Sequence, residues 1–380
     1  MFALTEDQQA LAEAARTFCT DLLSETLEED DEAERFRKEF MVSLGEQGLC
    51  GIPTPEQHGG LGLGYLDYSI VLEEIAKVSA SYAVSVAVTG LPQVILTQFG
   101  TPEQQAEWLP GLAAGELLGG FALSEPESGS DAGSLLTSAV RDGDDYIING
   151  TKFWITHGGY ADVYILMART GEPGPKGVSA FVLPGNIKGL SFGKKEKKMG
   201  MRASPTVELV LDNVRLPQSA RVGPEGFGFT VAMAALDSGR ITIGATAVGI
   251  SQAALDYSAH YATQRRQFKQ PIIDFQGVGF MLADMATQTD AARLMVHRAA
   301  WLRDDGRDYS KAAAMAKLHS TDTCMAVTTD AVQVLGGYGY VREHPVERYM
   351  RDAKVMQIVE GTNQVQRVVI ARHLKRAARE

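Results

Sequence analysis

The spacing of apolar residues along the 380-residue chain changes twice, and this change constrains the fold more than any other feature. From residue 1 to about 118, apolar side chains recur every three or four positions, as on one face of a helix. From about 119 to 226 they form short runs separated by Gly and Pro, which is typical of strands. From about 227 the helical spacing returns in long stripes. The pattern predicts three domains, at 1–118, 119–226 and 227–380.

The N-terminal domain is predicted to be all-α. Thr5 with Gln8, and Thr101 with Gln104, have the spacing of a helix capping box. A Gly- and Pro-rich loop at 45–64 interrupts the helical spacing. It lacks the preceding strand and the glycine spacing of a dinucleotide-binding fingerprint, so we discount that reading.

The middle domain is predicted to be a small antiparallel β-barrel or β-sandwich, and the pattern does not separate the two. Two apolar-rich runs flank Asn149-Gly150, the strongest short signal for a hairpin turn. Further short strands are predicted at Val163–Met167, Val178–Leu183 and Val207–Leu211.

The C-terminal domain is predicted to be a four-helix bundle. Three long stripes run from Met233 to Tyr261, from Phe275 to Ala299 and from Ala314 to Leu335. The third stops at Gly336-Gly337, a plausible C-cap, and a fourth helix begins near Asn363. The fold class is therefore α+β and multidomain: all-α, then antiparallel β, then helix bundle.

Composition excludes some classes of function. The net charge of −11 argues against a nucleic-acid surface, and the one basic cluster, Lys194–Lys198, fits a solvated loop. No run reaches the roughly 18 apolar residues of a membrane span, so no membrane insertion is expected. Seven scattered histidines and three distant cysteines give no metal-ligand spacing, so no metal site is predicted.

The cysteines and the N-terminus indicate a cellular location. Cys19, Cys50 and Cys324 fit reduced, mostly buried thiols. The acidic stretch at 1–7 enters a helix directly, so neither a signal peptide nor a transit peptide is expected. We expect a cytoplasmic, prokaryote-type protein.

The segment Gln357–Gln364 is the first candidate for chemistry. Glu360 lies between an apolar run and a Gly-Thr-Asn turn, and apolar surroundings raise the pKa of a carboxyl toward the range of a useful base. Gly361 allows another molecule to approach closely. Thr362 and Asn363 can cap the following helix, whose start offers N–H donors. An ordinary capping turn with an exposed Glu is the alternative.

Three other segments are candidates. The loop Phe121–Ser134 is dense in hydroxyls and turn residues, as suits a polar heterocycle or a phosphate-bearing tail, although a linker is the alternative. Trp154–Thr156 could place an indole and a hydroxyl at a planar ring, although such residues are more often core. Arg240 interrupts an apolar stripe and needs Asp237 or an anionic ligand as its partner.

Five segments, in order, resemble the acyl-CoA dehydrogenase family, and the match covers essentially the whole chain. They are Leu123-Ser124-Glu125-Pro126 through Ser130-Asp131-Ala132-Gly133, Asn149-Gly150-Thr151-Lys152-Phe153-Trp154-Ile155-Thr156, Gln333-Val334-Leu335-Gly336-Gly337-Tyr338-Gly339-Tyr340, Arg351-Asp352-Ala353-Lys354 and Glu360-Gly361-Thr362-Asn363-Gln364. The similarity is greatest to short- and medium-chain, butyryl-CoA dehydrogenase-like members. It implies the three-domain fold of that family, noncovalent FAD, and oxidation of a fatty acyl-CoA thioester to its trans-2-enoyl-CoA.

The resemblance also implies roles for individual residues. Contacts to the flavin are implied for Phe121, Ala122, Leu123, Ser124, Gly129, Ser130, Trp154, Ile155, Thr156, Thr362, Asn363 and Gln364. Contacts to the FAD of a neighbouring subunit are implied for Arg265, Phe268, Gln276, Gln333, Val334, Leu335, Gly336 and Gly337. Substrate contacts are implied for Asp237 and Arg240 as the CoA-binding pair, Ser130 near the pantetheine arm, and Gly361 at the thioester.

The resemblance implies that Glu360 abstracts the α-proton while flavin N5 accepts the β-hydride. Some members carry the base inside the Asp-x-x-Arg motif, where this chain has Gly239, which leaves Glu360 as the candidate. Electrons are expected to pass to an electron-transferring flavoprotein, and a homotetramer is expected because FAD contacts are shared between subunits. The alternatives are an acyl-CoA oxidase or flavin monooxygenase on the same fold, and a non-catalytic flavin-binding paralogue.

Overall fold

The computed structural model describes residues 3–379, so the first two residues of the acidic N-terminus lie outside it. Six helices come first in the chain. They are α1 (Glu6–Leu23), α2 (Leu27–Glu32), α3 (Lys38–Glu46), α4 (Tyr65–Val78), α5 (Ala80–Phe99) and α6 (Pro102–Ala113). Both predicted capping boxes are confirmed: the Thr5 and Thr101 hydroxyls accept from the backbone N–H three residues on, and each glutamine side chain bonds back.

Helix α5 is apolar along most of its length. By length and composition it could cross a membrane, but 83% of its apolar window is buried inside the fold. That burial accounts for its apolarity, because a helix packed on all sides needs no polar face.

Eight strands follow and form one sheet. They are β1 (Gly119–Ala122), β2 (Ser138–Asp142), β3 (Asp145–Thr156), β4 (Val163–Arg169), β5 (Val178–Pro184), β6 (Leu190–Phe192), β7 (Thr206–Pro217) and β8 (Arg221–Val222). Their hydrogen-bonded order is β6-β7-β3-β2-β4-β5-β8, mostly antiparallel as predicted. The pairings of β1 and β2 with β4 are parallel. Strand β1 therefore lies beside β4, with the loop that follows β1 close to β3.

The predicted hairpin turn at Asn149-Gly150 is wrong. Strand β3 runs straight through both residues, and a register shift against β7 occurs there instead. Gly150 has φ 151°, and a Cβ at this position would lie 2.6 Å from the Thr137 hydroxyl, so the glycine serves a bulge. The actual turn of the β2–β3 hairpin contains Gly143, at φ 65°.

The C-terminal part of the chain is helical, with one small hairpin. Its elements are α7 (Gly228–Gln264), β9 (Arg266–Gln267), β10 (Gln270–Pro271), α8 (Gln276–Asp304), α9 (Ser310–Leu335), α10 (Val346–Met356) and α11 (Asn363–Ala377). The three striped helices and the helix starting at Asn363 are confirmed. Short α10 was not predicted. One of the positions it buries is the charged Asp352, which interrupts an apolar stripe.

Helix α7 is central, because it packs against α4, α5, α8, α9 and α10. One continuous hydrophobic core joins residues of the first helices, the sheet and α7, α8 and α9. The segment between α10 and α11 lies against α7 and α9, which brings Glu360 beside Gly239 of α7 and the Gly361 carbonyl to Lys317 of α9.

Candidate active site

Glu360 and Gly361 form a turn with an unusual backbone between α10 and α11. Glu360 has φ 54° and Gly361 has φ 88°. Glycine adopts such angles freely, whereas a side-chain-bearing residue pays of order 1–3 kcal/mol and keeps them only when its surroundings impose them. Thr362 then caps α11, since its hydroxyl accepts from the Val365 N–H at 3.2 Å. The turn is therefore held rather than loose.

The Glu360 carboxylate has lost most of its solvent. The residue is half-buried as a whole, but its Oε2 is buried and has no hydrogen-bond partner within residues 3–379. Burial raises the pKa of Glu360 to about 7, while Arg240 and Lys317 act in the opposite direction. The raised pKa predicted from the apolar neighbours is confirmed in direction.

Gly239 of α7 makes room for this carboxylate. A Cβ on Gly239 would lie 2.5 Å from Glu360 Oε2, which is closer than real Cβ contacts occur. A side chain at position 239 and the observed Glu360 conformation are thus mutually exclusive. The observed position of the Glu360 carboxylate therefore requires a glycine at position 239, within the Asp-x-x-Arg segment.

Asp237 and Arg240 lie one helical turn apart on α7 and form an ion pair. Arg240 is 5% exposed and its Nε has no partner among the described groups, so the guanidinium keeps an unused donor. Burial raises the pKa of Asp237, and Arg240 opposes that rise. A buried guanidinium with a free donor is suited to an anionic or carbonyl ligand.

The loop after β1 is tied to the end of β3. Lys152, fully buried on β3, donates to the Leu123 carbonyl at 2.9 Å and to Glu125 at 2.8 Å. The Phe153 N–H donates to the Ser124 carbonyl at 2.9 Å. The predicted flavin-loop residues 121–130 and the predicted strand-end residues 154–156 are thereby brought together.

These residues differ in what they can present to a ligand. Trp154 has φ 63° and a side chain that is 60% exposed, while Gly129 and Ser130 are also exposed. The side chains of Ala122, Leu123 and Ile155 are buried in the core, so only their backbone groups can meet a ligand. Phe121, Ser124 and Thr156 are half-buried. The exposed indole of Trp154 and the exposed Ser130 are open to a flavin ring, and the buried residues beside them can contribute only backbone groups.

At the start of α11, Asn363 and Gln364 differ in whether they are open to a ligand. The Asn363 amide bonds to Lys317, Thr321 and Asp322, and its N–H donates to the Gln357 carbonyl. These bonds leave the Asn363 amide and N–H no free position for a flavin. Gln364 is exposed.

A second group of predicted residues lines a pocket of about 980 Å³ at the far ends of α7 and α9. Arg265, Phe268 and the run Gln333–Gly337 all line it, and Gln276 immediately precedes the lining residue Gly277. Among the described residues, none from the Glu360 turn or from the 121–130 loop lines this pocket. The predicted site residues therefore form separate clusters within one chain.

This pocket is open and partly aromatic. The Arg265 guanidinium lies 5.3 Å from the centre of the Tyr338 ring. Phe268 is 89% exposed at φ 48°, although its ring touches Phe275 edge-on. A large exposed aromatic on a strained turn is typical of a surface that another molecule covers.

Two buried residues at the Glu360 turn were not predicted. Lys317 of α9 donates to the Gly361 carbonyl at 2.9 Å, and Gln366 of α11 donates to the carbonyls of Glu360 and Gly361 at 3.1 and 2.8 Å. A signal was present for Lys317, which falls on the apolar stripe of α9 as Arg240 falls on that of α7. Gln366 gave no comparable signal. Within residues 3–379, no group of three His, Cys, Asp or Glu could hold a metal ion.

Comparison with known proteins matches the chain to one family. Three family models match in order: acyl-CoA dehydrogenase N-terminal domain at 5–116, middle domain at 120–214 and C-terminal domain at 226–375. A short-chain-specific acyl-CoA dehydrogenase of Clostridium acetobutylicum is 43% identical over 372 residues, covering 97% of this chain and 98% of that protein.

Solved structures are similar over the same length. Butyryl-CoA dehydrogenase from Megasphaera elsdenii matches with a TM-score of 0.96 and 42% identity, covering 98% of this chain and 99% of its own. A chain from the structure of the electron transferring flavoprotein of Acidaminococcus fermentans matches with a TM-score of 0.97, 44% identity and the same coverage. The chain belongs to the acyl-CoA dehydrogenase family of FAD-dependent oxidoreductases, and within it resembles the butyryl-CoA dehydrogenase-like, short-chain members.

Proposed function

We propose that this protein oxidises a fatty acyl-CoA thioester to its trans-2-enoyl-CoA, with Glu360 as the base that removes the α-proton. The observation that carries the proposal is the Oε2 of Glu360, which is buried next to Gly239 and has no hydrogen-bond partner in the described part of the chain. A base that has lost hydrogen-bond partners and solvent is stronger than an exposed carboxylate, and a pKa of about 7 matches its task at neutral pH. FAD, when bound, supplies the acceptor for the hydride that leaves the β-carbon.

The residues around Glu360 would bind and orient the substrate. Removing an α-proton places negative charge on the thioester oxygen, so groups that stabilise this charge lower the barrier. The Glu360 N–H makes no hydrogen bond within the described chain and is free to donate to that oxygen. Gly361, with no side chain, leaves room for the thioester, and Arg240 with Asp237 would hold the CoA portion, with Ser130 near its pantetheine arm.

FAD would be held by the 121–130 loop and the end of β3. The fit rests on the exposed Trp154, the exposed Ser130 and the open space at Gly129, where a Cβ would meet nothing within 4 Å. Thr156, Thr362 and Gln364 are proposed as further contacts, the last two at the N–H-rich start of α11.

We further propose a homotetramer in which the pocket lined by Arg265, Phe268 and Gln333–Gly337 receives the FAD of a neighbouring subunit, with Gln276 at its edge. We propose an electron-transferring flavoprotein as electron acceptor, supported by the similarity to a chain from the structure of such a flavoprotein. A cytoplasmic location is proposed from the bacterial relatives. Division into domains at 1–118, 119–226 and 227–380 also stays a prediction.

The test is anaerobic mixing of the FAD-loaded protein with straight and branched acyl-CoAs of graded length. We expect flavin bleaching by short straight-chain substrates in the wild type. Glu360→Gln should bind FAD and acyl-CoA but reduce flavin about 10³-fold more slowly or worse, because the amide cannot take a proton. Glu116→Gln, at an exposed position outside the site, is the matched control and should behave as wild type.

Three results would each contradict a part of the proposal. Bleaching of Glu360→Gln at near wild-type speed would remove Glu360 as the base. Absence of bleaching by every acyl-CoA in the wild type would favour the non-catalytic paralogue. Stoichiometric hydrogen peroxide during aerobic turnover would favour the oxidase over transfer to an electron-transferring flavoprotein.

A further inference from the structure

We propose that Lys317 and Gln366 are positioning residues that hold the two carbonyls of the Glu360–Gly361 turn and so fix the direction of the Glu360 N–H and carboxylate. This inference rests on the proposed role of Glu360 as the base. Neither residue would touch the substrate. Both would act through the backbone of the turn, Lys317 from α9 and Gln366 from α11.

The backbone of the turn needs such support. Two consecutive residues at positive φ, the first of them a glutamate, relax toward ordinary angles unless hydrogen bonds oppose the change. A rotation about the Glu360 φ angle would move its carboxylate away from Gly239. It would also turn away the N–H, which makes no hydrogen bond within the described chain.

Gln366 bridges the turn from α11. Its Nε2 donates to the Glu360 carbonyl at 3.1 Å and to the Gly361 carbonyl at 2.8 Å. A Cβ on Gly361 would lie 2.9 Å from this nitrogen, so Gly361 allows the bridge to close. Gln366 is fully buried, which makes the two bonds costly to lose.

Lys317 holds the same turn from α9, and it is itself held. Its Nζ donates to the Gly361 carbonyl and to Asn363 Oδ1, both at 2.9 Å. Asn363 is fixed in turn by Thr321 at 2.9 Å and Asp322 at 2.7 Å. The Lys317 ammonium therefore has a defined position, and the buried side-chain amide of Asn363 helps to hold it there.

Lys317 also brings charge to the base. The charged groups that face Lys317 are Glu360, Arg240 and Asp322, and those that face Glu360 are Arg240 and Lys317. Burial lowers the pKa of Lys317 to about 7, with Glu360 opposing. Both groups titrate near pH 7, and wherever Lys317 is still protonated its positive charge favours the Glu360 carboxylate. Removing that charge should make Glu360 harder to deprotonate.

Three variants separate position from charge. Lys317→Met removes the bonds and the charge, Lys317→Gln keeps an amide donor but no charge, and Gln366→Met removes the bridge from α11. The matched control is Lys188→Met, at an exposed lysine outside the site. For each FAD-loaded variant, the limiting rate of anaerobic flavin reduction and the acyl-CoA Kd are measured from pH 5.5 to 9, together with flavin content and Tm.

Each variant has its own expected pattern. Lys317→Met should move the acidic limb of the rate profile up by about one pH unit and lower the alkaline plateau about tenfold. Lys317→Gln should give the same shift with a plateau within about threefold of wild type, since an amide still donates. Gln366→Met should lower the plateau about tenfold with no shift of the limb. Lys188→Met should change neither.

The outcomes distinguish this proposal from the function on which it rests. If the Lys317 and Gln366 variants keep the wild-type pH profile and plateau rate while Glu360→Gln is inactive, the positioning role of these two residues is overturned. The role of Glu360 as the base is then unaffected. A weaker Kd with unchanged limiting rates overturns the positioning role too, because the residues would then serve binding. If Lys317→Met does not fold, the results for Lys317→Gln and Gln366→Met decide whether the two residues position the turn. Failure of every acyl-CoA to reduce the wild type overturns the function itself.

Discussion

Glu360 joins two features that a protein rarely places on one residue. Its carboxylate is desolvated, and its backbone has the positive φ that favours glycine. Both features cost stability, and both follow from the tertiary contacts that press the turn against Gly239 and Lys317. Such a loss of stability is expected if Glu360 is the base, because a solvated carboxylate would be a weaker base.

The pKa of Glu360 predicts how pH changes stability. Its folded-state value of about 7 lies above the roughly 4.3 of an unfolded glutamate, so folding favours the protonated form. The contribution of this group is fully present below about pH 4 and is lost as pH rises through 7.

We therefore expect Glu360→Gln, which mimics the protonated acid, to gain thermal stability over wild type as pH rises. The Tm difference should be small at pH 5 and should increase by about 2 °C or more at pH 8. Differential scanning fluorimetry of both FAD-saturated proteins measures it, with Glu116→Gln as the control. An equal Tm difference at the two pH values would refute the raised pKa.

At the scale of elements, strand β3 and the loop after β1 act as one unit. The buried Lys152–Glu125 pair links them, and Glu125 also accepts from the N–H groups of Leu136 and Thr137. Burial raises the pKa of Glu125, but Lys152 and these donors outweigh it, so the net pKa is lowered. The buried Lys152–Glu125 pair thus fixes the loop that is proposed to hold the flavin, while Gly129 and Ser130 of that loop remain exposed.

Breaking this pair on one side should be worse than removing both charges. We expect Lys152→Met or Glu125→Gln alone to lower the free energy of unfolding by roughly 3–5 kcal/mol, because each strands a buried charge or donor. The double variant should lose less than the sum of the two. Denaturant unfolding at a fixed FAD concentration, with FAD affinity as a second readout, gives the double-mutant cycle. Additive losses would show that the pair is not coupled.

At the scale of the whole molecule, the proposed sites lie in separate clusters, and one of them faces outward. The pocket at the ends of α7 and α9 is lined by Phe268, 89% exposed, and Tyr338, 50% exposed. Exposed aromatics at the rim of a cavity indicate a surface that association would cover. We expect the FAD-loaded protein to be a homotetramer in which this surface is completed by a neighbour.

Phe268→Ser and Arg265→Met should therefore weaken assembly and FAD retention together. We expect both variants to shift toward smaller species on dilution and to release FAD more readily. Light scattering coupled to size exclusion, with flavin absorbance followed on the same column, measures both effects. Val140→Ser, at an apolar residue of β2 that is 62% exposed, is the control. A wild-type protein that stays monomeric with full flavin would contradict the proposed assembly.

Much of this molecule could be predicted from the sequence because the information is local. Apolar spacing specified the three long helices of the C-terminal part, and capping residues specified where α1 and α6 begin. Two residues stood out because they depart from local rules: Arg240 lies on an apolar stripe, and Glu360 lies among apolar neighbours. Both belong to the candidate active site, Arg240 on α7 and Glu360 in the turn that lies against it. The five ordered segments then indicated the family.

The tertiary structure decided what depends on residues far apart in the chain. Asn149-Gly150 has the local chemistry of a hairpin turn, but pairing with β7 and contact with Thr137 make it a bulge in a continuous strand. Lys317 reaches the Gly361 carbonyl across 44 residues, and the room at Gly239 has meaning only with Glu360 packed against it. Sequence spacing determines which face of a helix is apolar. Only folding determines which buried polar group meets which, because that depends on how the helices and strands pack.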